Sequence, residues 1–516
     1  MLAKQLRSRT VAVLRLLLTL PLVLALSGGA EGKKPAPPTP WTGPVPRADC
    51  GPNDRTETGL QGQTTLIERT SGASQQAYNC NLELVGQHTG DGAGWQHAWF
   101  DHCAYYGTTN TPAQANLGVV VVDVSDPQNP TATAHLADPA MLEPWESLKV
   151  NEKRELLGGV QADGGAGLQP GFALYDVSSD CRHPRLLSSV LLAPSGPRGH
   201  AGDFAPDGMT YYGTSTNGTS LYPIDISDPT NPQLITNWIP PGGVGAPHDL
   251  SVSQDGTRIY VGQRGNNPPF KNGLTIMDAS DFQYRRPNPD FRFIGGVYWE
   301  DGRNAQMPTQ VRIKGRPYIL FTDESGSMAF NRIAACAAVM PPYGFARLID
   351  ISDEENPFVT AKLMLEVDDP ANCAATLTDT TNPQVSIFRY DSHYCTVDDP
   401  NNAKLAACAY FQAGVRVFDI RDPYHPKEVA YYKPGAVGSA ARPGSDLGTR
   451  ILYRDHDWSS SNTRFIKIKG VNYLWMTSQD NGFQVLKFTN HLKHLAPGLF
   501  SDDDDDDRGR DRDDDD

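Results

Sequence analysis

The sequence lacks the short motifs that mark most nucleotide-dependent and serine-based enzymes. No phosphate loop, dinucleotide-binding glycine fingerprint or GxSxG nucleophile elbow occurs in a fitting context. No CxxC pair is present, which argues against a structural zinc cage made of thiolates. Function therefore cannot be assigned from a short catalytic motif.

Positive charge is also scarce. Lysine and arginine number 45 against 60 acidic residues, so the formal net charge is -15. The final stretch, "SDDDDDDRGRDRDDDD", holds eleven Asp and three Arg, which leaves -8 in this stretch and -7 in the rest of the chain. We predict a disordered Asp-rich tail over residues 495–516, with weak calcium or cationic-surface binding as the alternative. Because no basic patch is visible, no nucleic-acid partner is expected.

Long apolar runs are missing except near the N-terminus. There, basic residues precede an apolar run at about 16–26 and a group of small residues. This layout predicts a secretory signal peptide over residues 1–30. A retained membrane anchor is the alternative, but a spanning helix needs roughly 20 apolar residues. The mature chain is expected to have no transmembrane segment, to begin with a mostly flexible Pro/Gly/polar leader over 31–80, and to be secreted, periplasmic or cell-surface.

Eight cysteines in an exported chain indicate disulfide bonds. Eight cysteines allow 105 pairings, and the sequence does not choose among them. Four of the eight lie between residues 336 and 408, so we expect disulfides to staple the longest insertions there.

Glycine and proline, by contrast, are abundant: 48 Gly and 41 Pro favour many short strands joined by tight turns. One pattern recurs, in which an apolar strand ends in Asp and runs into a Ser, Asp and Pro-rich turn, as in "LGVVVVDVSDPQNP". The repeated Asp falls at positions 123, 176, 225, 278, 350 and 419, with Lys487 in register in a seventh copy. We interpret these carboxylates as structural, because Asp at the end of a strand accepts hydrogen bonds from turn amides.

The spacing of the copies predicts the fold. The smaller intervals, of 49 and 53 residues, match the period of propeller blades, and the larger ones contain insertions. Two strand-like runs precede each copy and one follows it, which gives four strands per unit. The prediction is an all-β fold, a seven-bladed β-propeller of four-stranded blades over residues 81–494. The seventh copy has no chain left for its outer strand, so we expect "NLELVGQH" (81–88) to close the ring as an N-terminal velcro strand.

The copies resemble the LVIVD repeat family of secreted bacterial β-propellers. The resemblance covers nearly the whole chain and is especially clear in "AGVRVFDIRDPYHPKEVAYY" and "LWMTSQDNGFQVLKF". It implies the fold but says little about activity, because propellers host both enzymes and binding proteins.

The innermost strand of each propeller blade lines a central channel, and the loop that enters it lies at one mouth of that channel. The residues at these predicted positions are His97, Glu146, His200, His248, Thr309 or Gln310, His393 and His456. Convergent imidazoles with a carboxylate suit copper, zinc or iron. The five histidines and Glu146 therefore form a candidate pool of transition-metal ligands. Structural caps on neighbouring blades, or acid–base catalysis without metal, are the alternatives.

Two functions follow from these patterns. The first is a binding or surface scaffold protein, and the second is a metal-dependent enzyme, possibly an oxidoreductase. Selenium-binding proteins are similar propellers that hold copper with channel-side histidines, but this likeness is one of fold alone. An unknown small molecule or protein would bind at the channel mouth or at the insertions 323–342 and 367–410. The oligomeric state is left open.

Overall fold

A computed structural model describes residues 38–161, 171–192, 199–215, 220–241, 245–267, 270–378, 388–438, 441–445, 455–490 and 492. The predicted signal peptide (1–30) and the Asp-rich tail (495–516) lie outside the described residues.

Short antiparallel strands dominate the described part of the chain, where 29 strands form seven sheets. Two strands come before the repeats: β1 (Tyr78–Cys80) and β2 (Leu82–His88). The remaining strands follow in blade order: blade 1, β3 (His97–Phe100), β4 (Cys103–Tyr106), β5 (Val119–Asp123), β6 (Thr131–Leu136); blade 2, β7 (Lys149–Asn151), β8 (Leu156–Val160), β9 (Gly171–Asp176), β10 (Arg185–Leu191); blade 3, β11 (Gly202–Phe204), β12 (Thr210–Ser215), β13 (Ser220–Asp225), β14 (Gln233–Leu234); blade 4, β15 (Ala246–Val252), β16 (Arg258–Asn267), β17 (Phe270–Asp278), β18 (Arg292–Tyr298); blade 5, β19 (Arg303–Ile313), β20 (Arg316–Ser325), β21 (Ala346–Asp350), β22 (Phe358–Leu363); blade 6, β23 (Cys395–Val397), β24 (Leu405–Ala409), β25 (Val415–Asp419), β26 (Lys427–Lys433); blade 7, β27 (Arg464–Ile468), β28 (Val471–Ser478), β29 (Gly482–Phe488). The prediction of an all-β, seven-bladed propeller is confirmed.

Seven apolar clusters hold consecutive blades together. Strand β5 shows why the third strand of each blade is apolar on both faces. Val119 and Val121 pack with blade 2, whereas Val120 and Val122 pack with Trp475 and its neighbours in blade 7. Alternate residues of a strand point to opposite faces, so one valine run serves both neighbouring blades.

Blade 7 takes its outer strand from the other end of the described chain. Strand β2 pairs antiparallel with β29, with Leu82 opposite Phe488 and His88 opposite Phe483. The sheet order is β2-β29-β28-β27, so the pairing covers the edge of β29.

The repeated aspartates cap the turn after the third strand, as predicted. In each of the six copies, the backbone N–H two residues further on donates to the Asp side chain, at 2.8–3.0 Å. In five of the seven copies a glycine stands five residues before the repeated Asp or Lys487, at the entry to the third strand, and geometry explains it. Gly118 has φ +91°, and a Cβ there would lie 1.9 Å from the carbonyl oxygen of Leu136. Only glycine allows this approach.

The prediction of a mostly flexible leader over 31–80 is wrong for its larger part. From Thr39 onward the chain belongs to the same compact unit as the blades. The Trp41 N–H donates to the carbonyl of Thr360 in blade 5, and helix α1 (Leu66–Ser71) and strand β1 follow. Strand β1 is a fifth strand on blade 6, paired with β26. The buried Glu57 carboxylate forms a bidentate ion pair with Arg416. Polar contacts of this kind anchor the segment, and they produce no periodic apolar pattern in the sequence.

The insertions are shorter than predicted. Residues 323–325 complete β20, and from Cys395 onward the chain forms blade 6. Between these limits lie the helices α3 (Arg332–Ala337) and α4 (Cys373–Thr378), while α2 (Ser280–Gln283) follows β17. None of the described helices is both long and apolar enough to cross a membrane.

All eight cysteines form disulfides, as expected. The pairs are Cys50–Cys80, Cys103–Cys181, Cys336–Cys373 and Cys395–Cys408. The third pair joins α3 to α4 and so links the two insertions.

Candidate metal centre

Five ionisable side chains from five consecutive blades meet where the inner strands converge. Glu146, His200 and His393 lie just before the inner strands of blades 2, 3 and 6, and His248 lies on the inner strand of blade 4. Glu324 lies near the end of β20, the second strand of blade 5. All are buried except His200, whose side chain is 12% exposed.

Glu146 presents one carboxylate oxygen to two imidazoles. Its Oε2 lies 3.2 Å from Nε2 of His200 and 3.6 Å from Nε2 of His248, and the two nitrogens are 2.7 Å apart. Ligands placed tetrahedrally around an ion at about 2.0–2.1 Å are about 3.3 Å from one another. The three observed separations straddle this value.

The other carboxylate oxygen of Glu146, Oε1, faces a second set of side chains. Nε2 of His393 lies 3.0 Å from Glu146 Oε1 and 3.2 Å from Glu324 Oε1. The side-chain amide of Gln306 lies 3.1 Å from the same nitrogen. The remaining oxygen of Glu324 accepts a hydrogen bond from Arg264. Glu146 is therefore shared between the two groups.

Irregular backbone places Glu146 and His248. Trp145, directly before Glu146, has φ +51°, a conformation rare for a bulky residue. The Glu146 N–H donates to the carbonyl of His200 at 3.1 Å, which ties the two loops together. The pairing of β15 with β16 shifts register between Pro247 and Leu250, at His248. Such bulges re-aim side chains beside active sites.

His393 is oriented by a contact on its far side. Its Nδ1 is hydrogen-bonded to the carbonyl oxygen of Ser460, so Nδ1 is the donor and Nε2 faces the carboxylates. Metal-bound histidines commonly have this second contact, because it fixes the tautomer and the ring plane.

The charges in the cluster compensate one another. Burial alone would raise the pKa of Glu146, but the imidazoles of His200, His248 and His393 lower it well below its ordinary value. Burial lowers the pKa of His393, but hydrogen bonds to Glu146 and Glu324 raise it to about 9. Burial is the main cause that lowers the pKa of His248 well below its ordinary value. The site thus combines an ionised carboxylate with a neutral imidazole suited to coordination.

Aromatic rings cover one side of the cluster. The ring centroids of Trp95 and Phe411 lie 5.4 and 5.0 Å from that of His393, and both residues are buried with Trp458. Such surroundings exclude water and strengthen electrostatic interactions.

Two of the predicted histidines are not in the cluster. His97 is buried between blades 1 and 7, where its Nδ1 is 3.0 Å from the carbonyl oxygen of Asn462. His456 contacts the N-terminal segment, with Nδ1 2.9 Å from the hydroxyl of Thr64. Among the described residues, these contacts of His97 and His456 are those expected of structural caps, which were the alternative to metal ligation.

The residues predicted for blade 5, Thr309 or Gln310, also lie outside the cluster. The Thr309 hydroxyl donates to the carbonyl of Cys395 and the Gln310 amide to the Tyr260 hydroxyl, both away from the cluster. Strand β19 begins at Arg303, and a register shift between Ala305 and Pro308 places Gln306 beside His393.

Sequence reasoning missed Glu324, because it considered only residues that precede the inner strands. The available signal was the acidic pair Asp323-Glu324 at the end of a long apolar strand, "YILFTDES". Asp323 points elsewhere and binds Arg347, as expected for alternating residues of a strand.

Comparisons with known proteins agree with this architecture. The sequence profile described as LVIVD repeat matches residues 113–136 and 216–238, which end in the fourth-strand regions of blades 1 and 3. A search of curated proteins finds no match.

Solved structures with similar folds include two candidate 6-phosphogluconolactonases. The protein from Bacteroides uniformis has 12% identity and a TM-score of 0.49, over 76% of this chain and 93% of that one. The protein from Bacteroides fragilis has 10% identity and a TM-score of 0.46, over 75% and 98%. Hydrazine synthase from Kuenenia stuttgartiensis has 12% identity and a TM-score of 0.46, over 78% and 96%. Similarity at this level carries no argument about function.

The described residues form a β-propeller of seven sequence-repeat blades with a buried His/Glu cluster. With the family profile matching in two of its blades, the chain is an LVIVD repeat β-propeller.

Proposed function

We propose that the protein is a metal-dependent enzyme that binds a divalent transition-metal ion through Glu146, His200 and His248. The observation that carries the proposal is the convergence of three potential ligand atoms within 3.6 Å of one another. Two histidines and one carboxylate form the ligand set of non-haem iron oxygenases and of several zinc hydrolases. The metal would supply Lewis-acid or redox chemistry at this point.

The arrangement fits a metal site better than a set of structural caps. Oε2 of Glu146 is buried and faces the Nε2 atoms of His200 and His248 within 3.6 Å, whereas no carboxylate of the described residues faces the rings of His97 and His456. Burying a carboxylate is unfavourable unless it is paired, and a cation held jointly with the two imidazoles would supply that pair.

Arg264 suggests an anionic substrate. Its side chain is 25% exposed, pairs with Glu324 and retains a buried Nε–H without an acceptor in the described structure. A guanidinium beside a metal ion binds carboxylate or phosphate groups well. In this proposal Arg264 orients a small anion, and the aromatic residues around Trp95 keep water from the site.

Export is part of the proposal. Four disulfides using all eight cysteines are typical of proteins from oxidising compartments. Mass spectrometry of the mature N-terminus tests this, with cleavage near residue 30 as the expected result.

A binding role at the linked insertions is the second candidate. Met328, Ile333 and Val339 are 44%, 42% and 75% exposed within a short segment held by the Cys336–Cys373 bond. Exposed apolar side chains on a rigidly anchored loop favour contact with a protein partner.

Metal analysis of the purified, full-length protein separates the two candidates. The metal-dependent enzyme requires bound transition metal that is lost in the double variant His200→Ala/His248→Ala. His183→Ala is the matched control, because its side chain is 63% exposed and belongs to none of the described clusters of potential ligands. Equal metal content in the double variant and the control would contradict the proposal.

A further inference from the structure

We infer that the centre holds two metal ions, with Glu146 as a bridging carboxylate between them. This inference rests on the proposed function and extends it from one ion to a pair. The first ion would be held by Glu146 Oε2, His200 and His248. The second would be held by Glu146 Oε1, His393 and Glu324.

The division of the donor atoms carries the inference. Two trios that contain no disulfide-bonded cysteine, Glu146/His200/His248 and Glu146/Glu324/His393, each have ligand atoms that all lie within 4.8 Å of one another. Glu146 is the only residue common to both, and each of its oxygens faces a different trio. A carboxylate placed in this way bridges ions that are about 3.5–4 Å apart in two-metal enzymes.

The second trio has the supporting contacts of a ligand set. His393 is held by Ser460 on its far nitrogen, and the contact of Arg264 with Oε2 of Glu324 leaves Oε1 directed at His393. Thus two of the three protein ligands of the second ion, His393 and Glu324, are oriented by a neighbour outside the trio, as is typical of metal centres.

Charge indicates the class of ligand that a pair of ions would take. Two divalent ions bring four positive charges, and Glu146 and Glu324 offset two of them. An oxyanion, phosphate or carboxylate, that bridges the ions would offset part of the remaining charge, and the guanidinium of Arg264, which pairs with Glu324, would attract the same anion.

The test is the metal stoichiometry of the full-length protein reconstituted with Zn²⁺, together with the electron paramagnetic resonance spectrum after reconstitution with Mn²⁺. We expect two Zn²⁺ ions per chain and an exchange-coupled Mn²⁺ spectrum. Glu324→Gln, which keeps the size of the side chain, should leave one ion and an uncoupled spectrum. His393→Gln provides a second variant with the same expected result should Glu324→Gln fail to fold, and the exposed His183→Ala control should keep both ions.

The possible outcomes separate this inference from the proposed function. One ion in the unmodified protein that survives Glu324→Gln and is lost in His200→Ala/His248→Ala overturns the pair and leaves the single-ion enzyme. Two ions without coupling also overturn the bridge. No bound ion in the unmodified protein overturns both proposals.

Discussion

At the residue scale, the sequence predicted four members of the His/Glu cluster, Glu146, His200, His248 and His393, but missed Glu324. A position just before the inner strand is shared by Glu146, His200 and His393, and blade repetition made it visible in the sequence. Which of these side chains point into the cluster depends on the local backbone conformation, which the repeat pattern does not encode. His97, predicted at the equivalent position, begins the inner strand of blade 1, and its ring contacts the carbonyl of Asn462 in the adjacent blade. Glu324 comes from a different strand and could not be found by that rule.

Asp398 gives a residue-scale prediction of pH dependence. One of its oxygens accepts the N–H groups of Lys404 and Leu405, but the other is buried without a partner, and burial raises its pKa to about 6 from the ordinary 3.8. The folded protein therefore binds this proton more tightly than the unfolded chain. The stability that the proton contributes is complete below about pH 4 and is lost as the pH rises through 6.

Asp398→Asn should remove this dependence. Relative to the variant, the unmodified protein should lose about 1–3 kcal/mol of unfolding free energy between pH 4 and pH 7, given about 1.4 kcal/mol per pKa unit. Urea unfolding with the disulfides intact measures the difference at each pH. Glu355→Gln, on an exposed side chain, is the control, and an Asp398→Asn profile parallel to that of the unmodified protein would refute the prediction.

At the scale of elements, strands could be predicted and the N-terminal segment could not. The strand–turn pattern is local, so the Asp cap and the glycine entry identify each third strand directly from the residues. Residues 39–80 pack through isolated long-range contacts, such as Glu57 with Arg416, that are 359 positions apart. A Pro- and Gly-rich composition is typical of a linker. It gives no sign of contacts with residues so distant in sequence.

Glu57→Ala tests whether this segment is structural. Arg416 is fully buried between Glu57 and Glu428, and removing one carboxylate leaves part of its charge uncompensated. We expect a loss of about 3 kcal/mol in unfolding free energy. Glu83→Ala, on an exposed position of β2, should change it by less than about 0.5 kcal/mol. Equal effects of the two variants would show that the segment contributes little.

At the scale of the whole molecule, blade 7 combines β2, which precedes the repeats, with β27, β28 and β29, which belong to the last repeat. The sequence predicted this from the count of strands, since the last repeat has no outer strand of its own. The structure pairs β2 with β29, and the apolar cluster between blades 6 and 7 includes Leu82. We predict that this pairing makes the N-terminal strand indispensable to the global stability of the propeller.

Two leucines of β2 provide a matched test. Leu82 is fully buried, so Leu82→Ala should lower the unfolding free energy by about 2–5 kcal/mol. Leu84 is 37% exposed on the same strand, so Leu84→Ala should have little effect. Global urea unfolding followed by tryptophan fluorescence measures both. A small effect of Leu82→Ala would mean that the ring is stable without a well-packed β2.

The central claim, that the propeller carries a metal centre built on Glu146, is tested most directly by elemental analysis of the purified protein. The account predicts stoichiometric transition metal in the unmodified protein and its loss in Glu146→Gln, which keeps the shape of the side chain while removing the charge that both trios share. Protein without bound transition metal after reconstitution, or Glu146→Gln with unchanged metal content, would contradict it.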